Sequence, residues 1–158
     1  MTELVGQIDL TVDGADEVDP ALNLIKGRGG ALSREKLVAA ASKRFVVVVD
    51  ESKLVKQLGG GVLPVEVLAF LWRSTAERLA ALGVSLVVRG GEENPYVTDN
   101  GNLILDVTVD EGIKDPAGFG VELKKVTGVV EHGLFVGMTD TVIVAGPEGP
   151  KAIGRPPG

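Results

Sequence analysis

Acidic residues and a lysine crowd the first part of the chain. Asp13, Asp16, Glu17 and Asp19 share one short stretch, Lys26 opens the run Lys26-Gly27-Arg28-Gly29-Gly30, and Glu35 follows. Carboxylates take and return protons, and a cation beside glycine amides can face developing negative charge. Open α/β sheets bind ligands where a strand ends and a glycine-rich turn leads onto a helix N-terminus. The surrounding sequence offers those parts. Residues 8–12 (IDLTV) read as a short buried strand, and residues 31–44 (ALSREKLVAAASKR) as a helix burying Leu32, Leu37, Ala40 and Ala41.

Each feature also has a plainer reading. The glycine run is not a Walker A loop, because no Gly-Lys-Ser/Thr follows. It also misses the dinucleotide fingerprint, since Leu32 stands where the third glycine belongs. It is then either a tight turn or a flexible backbone whose amides face an anion. Asp13, Asp16 and Asp19 fit turn and capping roles, a metal site, or ligands for sugar hydroxyls. EF-hand spacing fails at Ala15 and no histidine is near. Glu35 sits where a helix dipole favours a carboxylate without any function, and Lys53 fits a solvated loop. His132, the sole histidine, reads as a surface or packing residue. Phe70 and Trp72 read as packing residues.

A net charge of −6 argues against a general nucleic-acid or anionic-membrane binder, yet leaves room for a small anion held by local cations. There is no cysteine, which excludes disulfides and thiolate metal sites. No apolar run approaches a membrane span and residues 1–7 do not resemble a signal peptide, so a cytoplasmic location is expected.

The elements that must position these residues follow in order. Residues 21–25 carry no assignable pattern. Residues 45–49 (FVVVV) read as a second buried strand ending at Asp50-Glu51-Ser52-Lys53, which makes strand, helix, strand a βαβ unit. Leu58-Gly59-Gly60-Gly61 reads as a boundary, and Pro64 as the first turn of a helix reaching residue 82. Residues 84–89 read as a strand, and Asp99-Asn100-Gly101 as a hairpin turn between residues 96–98 and 103–109. A helix is expected over 116–126, strands at Val129-Val130 and 141–145, and a frayed proline-rich tail after that. The fold expected is α/β, a partial Rossmann-like parallel sheet with an inserted ferredoxin-like α+β domain. Residues 1–58 and 132–158 would form the first part and 59–131 the second.

Four ordered motifs resemble the type A ribose-5-phosphate isomerase family: DGADEVD (13–19), KGRGGALSREK (26–36), VVDESK (48–53) and GVVEHGLF (128–135). The resemblance implies an aldose–ketose isomerase that interconverts ribose 5-phosphate and ribulose 5-phosphate through a cis-enediolate, with no metal or cofactor. It implies Glu35 as the base moving a proton between C2 and C1, Asp13 and Asp16 as groups orienting the sugar, and Lys26 as the charge facing the enediolate. Gly14, Ala15, Lys26, Gly27, Gly29, Gly30 and Lys53 are implied as substrate-binding, and a homodimer or homotetramer as the assembly. The chemistry suits the residue types, since abstraction beside a carbonyl needs one positioned carboxylate, a contribution of roughly 10²–10⁴-fold.

Two departures qualify the resemblance. The family's upstream phosphate loop has no counterpart here, and a helix dipole alone, about 1 kcal/mol, is no substitute for it. Weak or absent turnover by the isolated chain, with oligomerisation or poor solubility from uncovered sheet, is the expectation. Arg28 stands where the family has a small or apolar residue and is expected to crowd the loop. The alternative readings are a non-catalytic sugar-phosphate-binding module and a partner subunit that completes another chain's site.

Overall fold

The computed structural model describes residues 6–154. Strand β1 (Thr11–Asp13) precedes a short hairpin of β2 (Glu17–Val18) and β3 (Leu24–Ile25), and helix α1 (Leu32–Ala40) then leads to β4 (Phe45–Asp50). Strand β5 (Leu63–Val67), helix α2 (Trp72–Ala80), β6 (Ser85–Val88), β7 (Leu103–Thr108), helix α3 (Pro116–Lys125) and β8 (Val129–His132) follow. The described residues close with β9 (Leu134–Phe135), β10 (Thr141–Gly146) and β11 (Gly149–Gly154).

The described residues form three sheets. One has the order β1-β4-β10-β11, with β1 and β10 parallel to β4 and β11 antiparallel to β10. Strand alternation gives it one inner face, where Phe45, Val47, Val49, Val142 and Val144 pack with Val18, Leu24 and Phe135. On the other face Val12 and Val48 lie exposed, while Val46 and Thr141 are buried, so that face is only partly uncovered. The second sheet, β2-β3-β9, is a small antiparallel bridge. The third, β6-β7-β5-β8, is antiparallel and packs on α2 and α3 through Leu63, Val65, Val67, Leu79, Leu105 and Leu123. A parallel sheet with βα connections beside a separate α+β layer is the expected fold class. No helix among the described residues is long and apolar enough to cross a membrane.

Several local expectations are overturned. The helix expected to begin at Pro64 is instead strand β5, buried at all five positions, and only 72–80 is helical. Leu71 adopts φ 55, a left-handed conformation that interrupts any continuous helix, and Leu68, Phe70 and Leu71 are exposed. Proline survives in a central strand because of where its nitrogen faces. The Pro64 carbonyl accepts from Gly133 N (2.8 Å), so its nitrogen also faces Gly133, just past the end of β8, and no ladder bond to β7 is lost.

Helix α1 is shorter than expected, and Leu37 (70% exposed), Ala40 and Ala41 are not on its buried face. Its buried residues are Leu32, Ser33 and Ala39, because Ser33 turns towards a polar cluster beneath the helix. The first strand is displaced to Thr11–Asp13, leaving Ile8 with a single bridge to Ser42. The tail expected to fray forms β11 through residue 154, because Gly149 turns at φ 99 and lets the chain pair back on β10. Residues 155–158 of that expectation, and 1–5 at the other end, lie outside the described residues.

Candidate active site

Lys26 is the centre of the site. It follows β3 and is only 4% exposed. Its Nζ lies 2.9 Å from Asp13 Oδ2 and 3.5 Å from Glu35 Oε2, donates to the Gly14 carbonyl, and stands 5.6 Å from the Phe135 ring centroid. Burying an ammonium group is costly unless it is paired and hydrogen-bonded, and two carboxylates and a carbonyl meet that need. Asp13 ends β1 at the carboxyl edge of the parallel sheet, and Glu35 stands on the first turn of α1. Both carboxylates remain about one-third exposed, at 33% and 30%. They are therefore reachable from solvent while their counter-ion is not.

The backbone of Lys26 is fixed by the same feature that admits Pro64. Proline has no N–H to give Gly133 O, and that oxygen accepts from Lys26 N instead (2.8 Å). Any side chain on Gly133 would run into the Lys26 carbonyl. The glycine run then turns back onto α1. Gly27 has φ 106, where a Cβ would also lie 2.7 Å from Leu32 Cβ, and Gly30, at φ 90, faces the Tyr96 ring. Asp16 lies beside this loop: its Oδ2 accepts from Arg28 N (3.1 Å), and its own N–H bonds to Ile25 O (2.9 Å).

The structure thus unites Asp13, Gly14, Lys26 and Glu35, and sets Asp16 against Arg28 on the glycine-loop side. Ala15 is half-buried beside Gly14, and Gly29 is open to solvent. Lys53 closes the turn after β4, and among the described residues no hydrogen bond or ion pair joins it to Lys26, Asp13 or Glu35. Asp19 has the plain turn role, accepting from Ala21 N and Asn23 N. Among the described residues no group of three or more acidic or histidine side chains is placed to hold a metal.

Arg28 does not crowd the loop. It swings away to Glu17 (3.0 Å), whose buried carboxylate also accepts from the amides of Gly59, Gly60 and Gly61. Sequence reading missed Glu17 in this role, and it missed Arg89. Arg89 forks onto Asp106 at 2.9 and 2.6 Å and donates to the carbonyls of Gly27 and Arg28. The one available signal was Asp106 itself, a charge inside the apolar run LILDVTV.

His132 is a buried packing residue. Burial, reinforced by the Lys36 charge, pushes its pKa down to about 4, and its Nδ1 accepts from Leu134 N (3.2 Å). Burial likewise lowers the pKa of Lys36, which pairs with Glu131 at 3.0 Å. A cleft of about 500 Å³ opens beside Lys36, Val121, His132 and Met138. Its walls include none of Asp13, Lys26 and Glu35 and no carboxylate.

A carboxylate on a helix's opening turn, a second at a parallel strand's end and a sealed ammonium between them form, in an α/β protein, an arrangement suited to acid–base chemistry. The sequence matches the family described as Ribose 5-phosphate isomerase A (phosphoriboisomerase A) over residues 1–149. The chain belongs to that family. It is 52% identical over 151 residues to "Probable ribose-5-phosphate isomerase 2" of Arabidopsis thaliana, a match covering 91% of this chain and 57% of that protein. It is 47% identical over 144 residues to "Ribose-5-phosphate isomerase A" of Bacillus mycoides, covering 91% and 65%. The structure of ribose 5-phosphate isomerase from Plasmodium falciparum superposes with a TM-score of 0.90 at 40% identity, covering 96% of this chain and 68% of that one. A D-ribose-5-phosphate isomerase in complex with phospho-erythronic acid gives a TM-score of 0.90 at 44% identity, covering 96% and 67%. The chain therefore spans 57% and 65% of the length of the two curated relatives.

Proposed function

We propose that the chain carries the acid–base centre of an aldose–ketose isomerase interconverting ribose 5-phosphate and ribulose 5-phosphate. One observation carries the reading: the Lys26 ammonium lies within 3.5 Å of two partly exposed carboxylates, Asp13 and Glu35. Glu35 takes the proton from C2 of the open-chain aldose. The electron pair left on carbon forms the C1–C2 double bond, and the C1 carbonyl oxygen becomes the enediolate oxygen. Lys26 faces that charge, offsetting it in a site where an ammonium acts more strongly than in water. Glu35 returns the proton to C1 while the hydroxyl on C2 loses its own and becomes the ketone. Asp13 and Asp16 orient the hydroxyls and assist proton transfer between the oxygens. Gly14, Ala15, Gly27, Gly29, Gly30 and Lys53 complete the contacts to the sugar phosphate.

Membership of the family and the named relatives support this reading. With it go a cytoplasmic location, a homodimer or homotetramer, and residues 59–131 as a unit inserted in the Rossmann-like part. Confinement of the third sheet to strands between Leu63 and His132 supports that division. The test is solvent-deuterium incorporation into ribose 5-phosphate, followed by NMR with the parent chain and Glu35→Gln. Slow incorporation by the parent and none by the variant is expected. Equal incorporation by both sinks the assignment.

A further inference from the structure

We propose that Glu66 is a positioning residue, a carboxylate sealed beneath α1 that fixes through Ser33 where Glu35 stands. The inference rests on Glu35 being the base.

Glu66 sits in the middle of β5 and is 0% exposed. A carboxylate in such a place must be paired or saturated with hydrogen bonds. Among the described residues no cation reaches it. Four donors do: Ser33 Oγ on Oε2, and Thr98 Oγ1 (2.9 Å), Asn100 Nδ2 (3.0 Å) and Asn102 Nδ2 (2.9 Å) on Oε1. Burial pushes the Glu66 carboxyl up, but the bonds from Ser33, Asn100, Asn102 and Thr98 outweigh it, so its pKa lies below the usual glutamate value. A negative charge thus stays beneath the positive end of α1.

The turn holding three of these donors grips the helix a second time. Arg34 Nε donates to Asn100 Oδ1 (2.9 Å), and its guanidinium also donates to Asp99 O (3.0 Å). Helix α1 needs such an anchor, because Ala31 at its N-cap offers no side-chain bond to the free amides. Ser33 and Glu35 are two residues apart, about 200° around the helix. One side of the first turn is therefore fastened to Glu66 while the opposite side presents Glu35 to Lys26. A rotation of about 10° moves a group about 6 Å from the helix axis by about 1 Å, and misplacement of that size costs about 10²-fold in rate. A purely structural Glu66 would lower stability without touching turnover, and the two roles separate on that point.

Ser33→Ala removes the helix's bond to Glu66 and leaves the carboxylate its other three donors. Asn100→Asp sets a second carboxylate against Glu66 from an exposed turn, and serves if Ser33→Ala does not fold. Initial rates of ribose 5-phosphate isomerisation and deuterium incorporation are measured against substrate concentration, beside the melting temperature. Either variant should lose about 10²-fold in kcat with KM within about twofold, and Ser33→Thr should recover most of the loss. Leu79→Ala, a cavity in the antiparallel core, should lower the melting temperature and keep the parent kcat. If Ser33→Ala and Asn100→Asp melt lower but keep kcat within about threefold, Glu66 only braces the sheet. If Glu35→Gln keeps the parent rate, the base assignment fails and this inference falls with it. If Glu35→Gln is inactive while both anchor variants turn over normally, only the positioning role is lost.

Discussion

Replacing Lys26 with methionine keeps an unbranched stem against Phe135 and deletes the charge. At an effective dielectric of about 20, the contacts at 2.9 and 3.5 Å correspond to about 5–6 kcal/mol each. Neither figure survives as folding stability. Asp13 and Glu35 are each about one-third exposed, so water already screens them, and both can relax towards solvent once the ammonium is gone. Burying the ammonium costs several kcal/mol in the parent, and that cost also disappears. The net change should stay within about 2 kcal/mol, at most about 8 °C in melting temperature for a chain of this size. Turnover lacks this compensation. The enediolate charge exists only during reaction, and losing a preorganised group that faces it costs about 10²–10³ in kcat. The assay is deuterium incorporation into ribose 5-phosphate at saturating substrate, with differential scanning calorimetry on the same preparation. A rate within about tenfold of the parent, in a variant that melts normally, would show that Lys26 does not face the developing charge.

Three other perturbations follow from the structure. His132 has its folded pKa depressed to about 4. Below about pH 6.5 the unfolded chain takes a proton that the folded chain refuses, so stability should fall by up to about 3 kcal/mol between pH 6.5 and 4. Urea midpoints across that range should show the slope flattened in His132→Asn and unchanged above pH 7; an equal slope in the variant removes His132 as its source. Gly133→Ala should destabilise severely, by about 3 kcal/mol or more, because the new Cβ meets the Lys26 carbonyl in the backbone of the site. A urea midpoint near that of the parent would contradict the packing. Arg89→Ala leaves Asp106 without its partner, removes the donor to the Arg28 carbonyl and leaves the Gly27 carbonyl with the Gly30 N–H alone. The loss should be about 2–4 kcal/mol, and Arg89→Ala/Asp106→Asn should recover part of it; an unaltered melting temperature in the single variant refutes the bracing role.

Much of the local structure was legible in the sequence because one principle dominated each segment. The run FVVVV could only be a strand buried on at least one face, and β4 is central to the parallel sheet. The helix expected over 116–126 is α3, which opens at Pro116 and is capped by Asp115, accepting from Gly118 N at 3.0 Å. Asn100-Gly101 turns as expected, with Gly101 at φ 77. The miss at β5 came from competing signals. Pro64 and the spacing of Val65, Leu68, Leu71 and Trp72 imitate a helix, and only burial of Leu63–Val67 between β7 and β8 decides for a strand.

By itself the sequence determined the chemistry available: two aspartates after a strand, a lysine before glycines, a glutamate at a helix start and no thiol. Tertiary structure decided which of these meet. Asp13, Lys26 and Glu35 follow no helical or strand period, so their meeting is not a local property of the chain. It depends on β1 lying parallel to β4, on β3 pairing with β9, and on the Gly133 carbonyl, left free by Pro64, taking the Lys26 amide. Long-range pairing sealed the ammonium inside and left the carboxylates at the surface. Residue types alone do not specify that division.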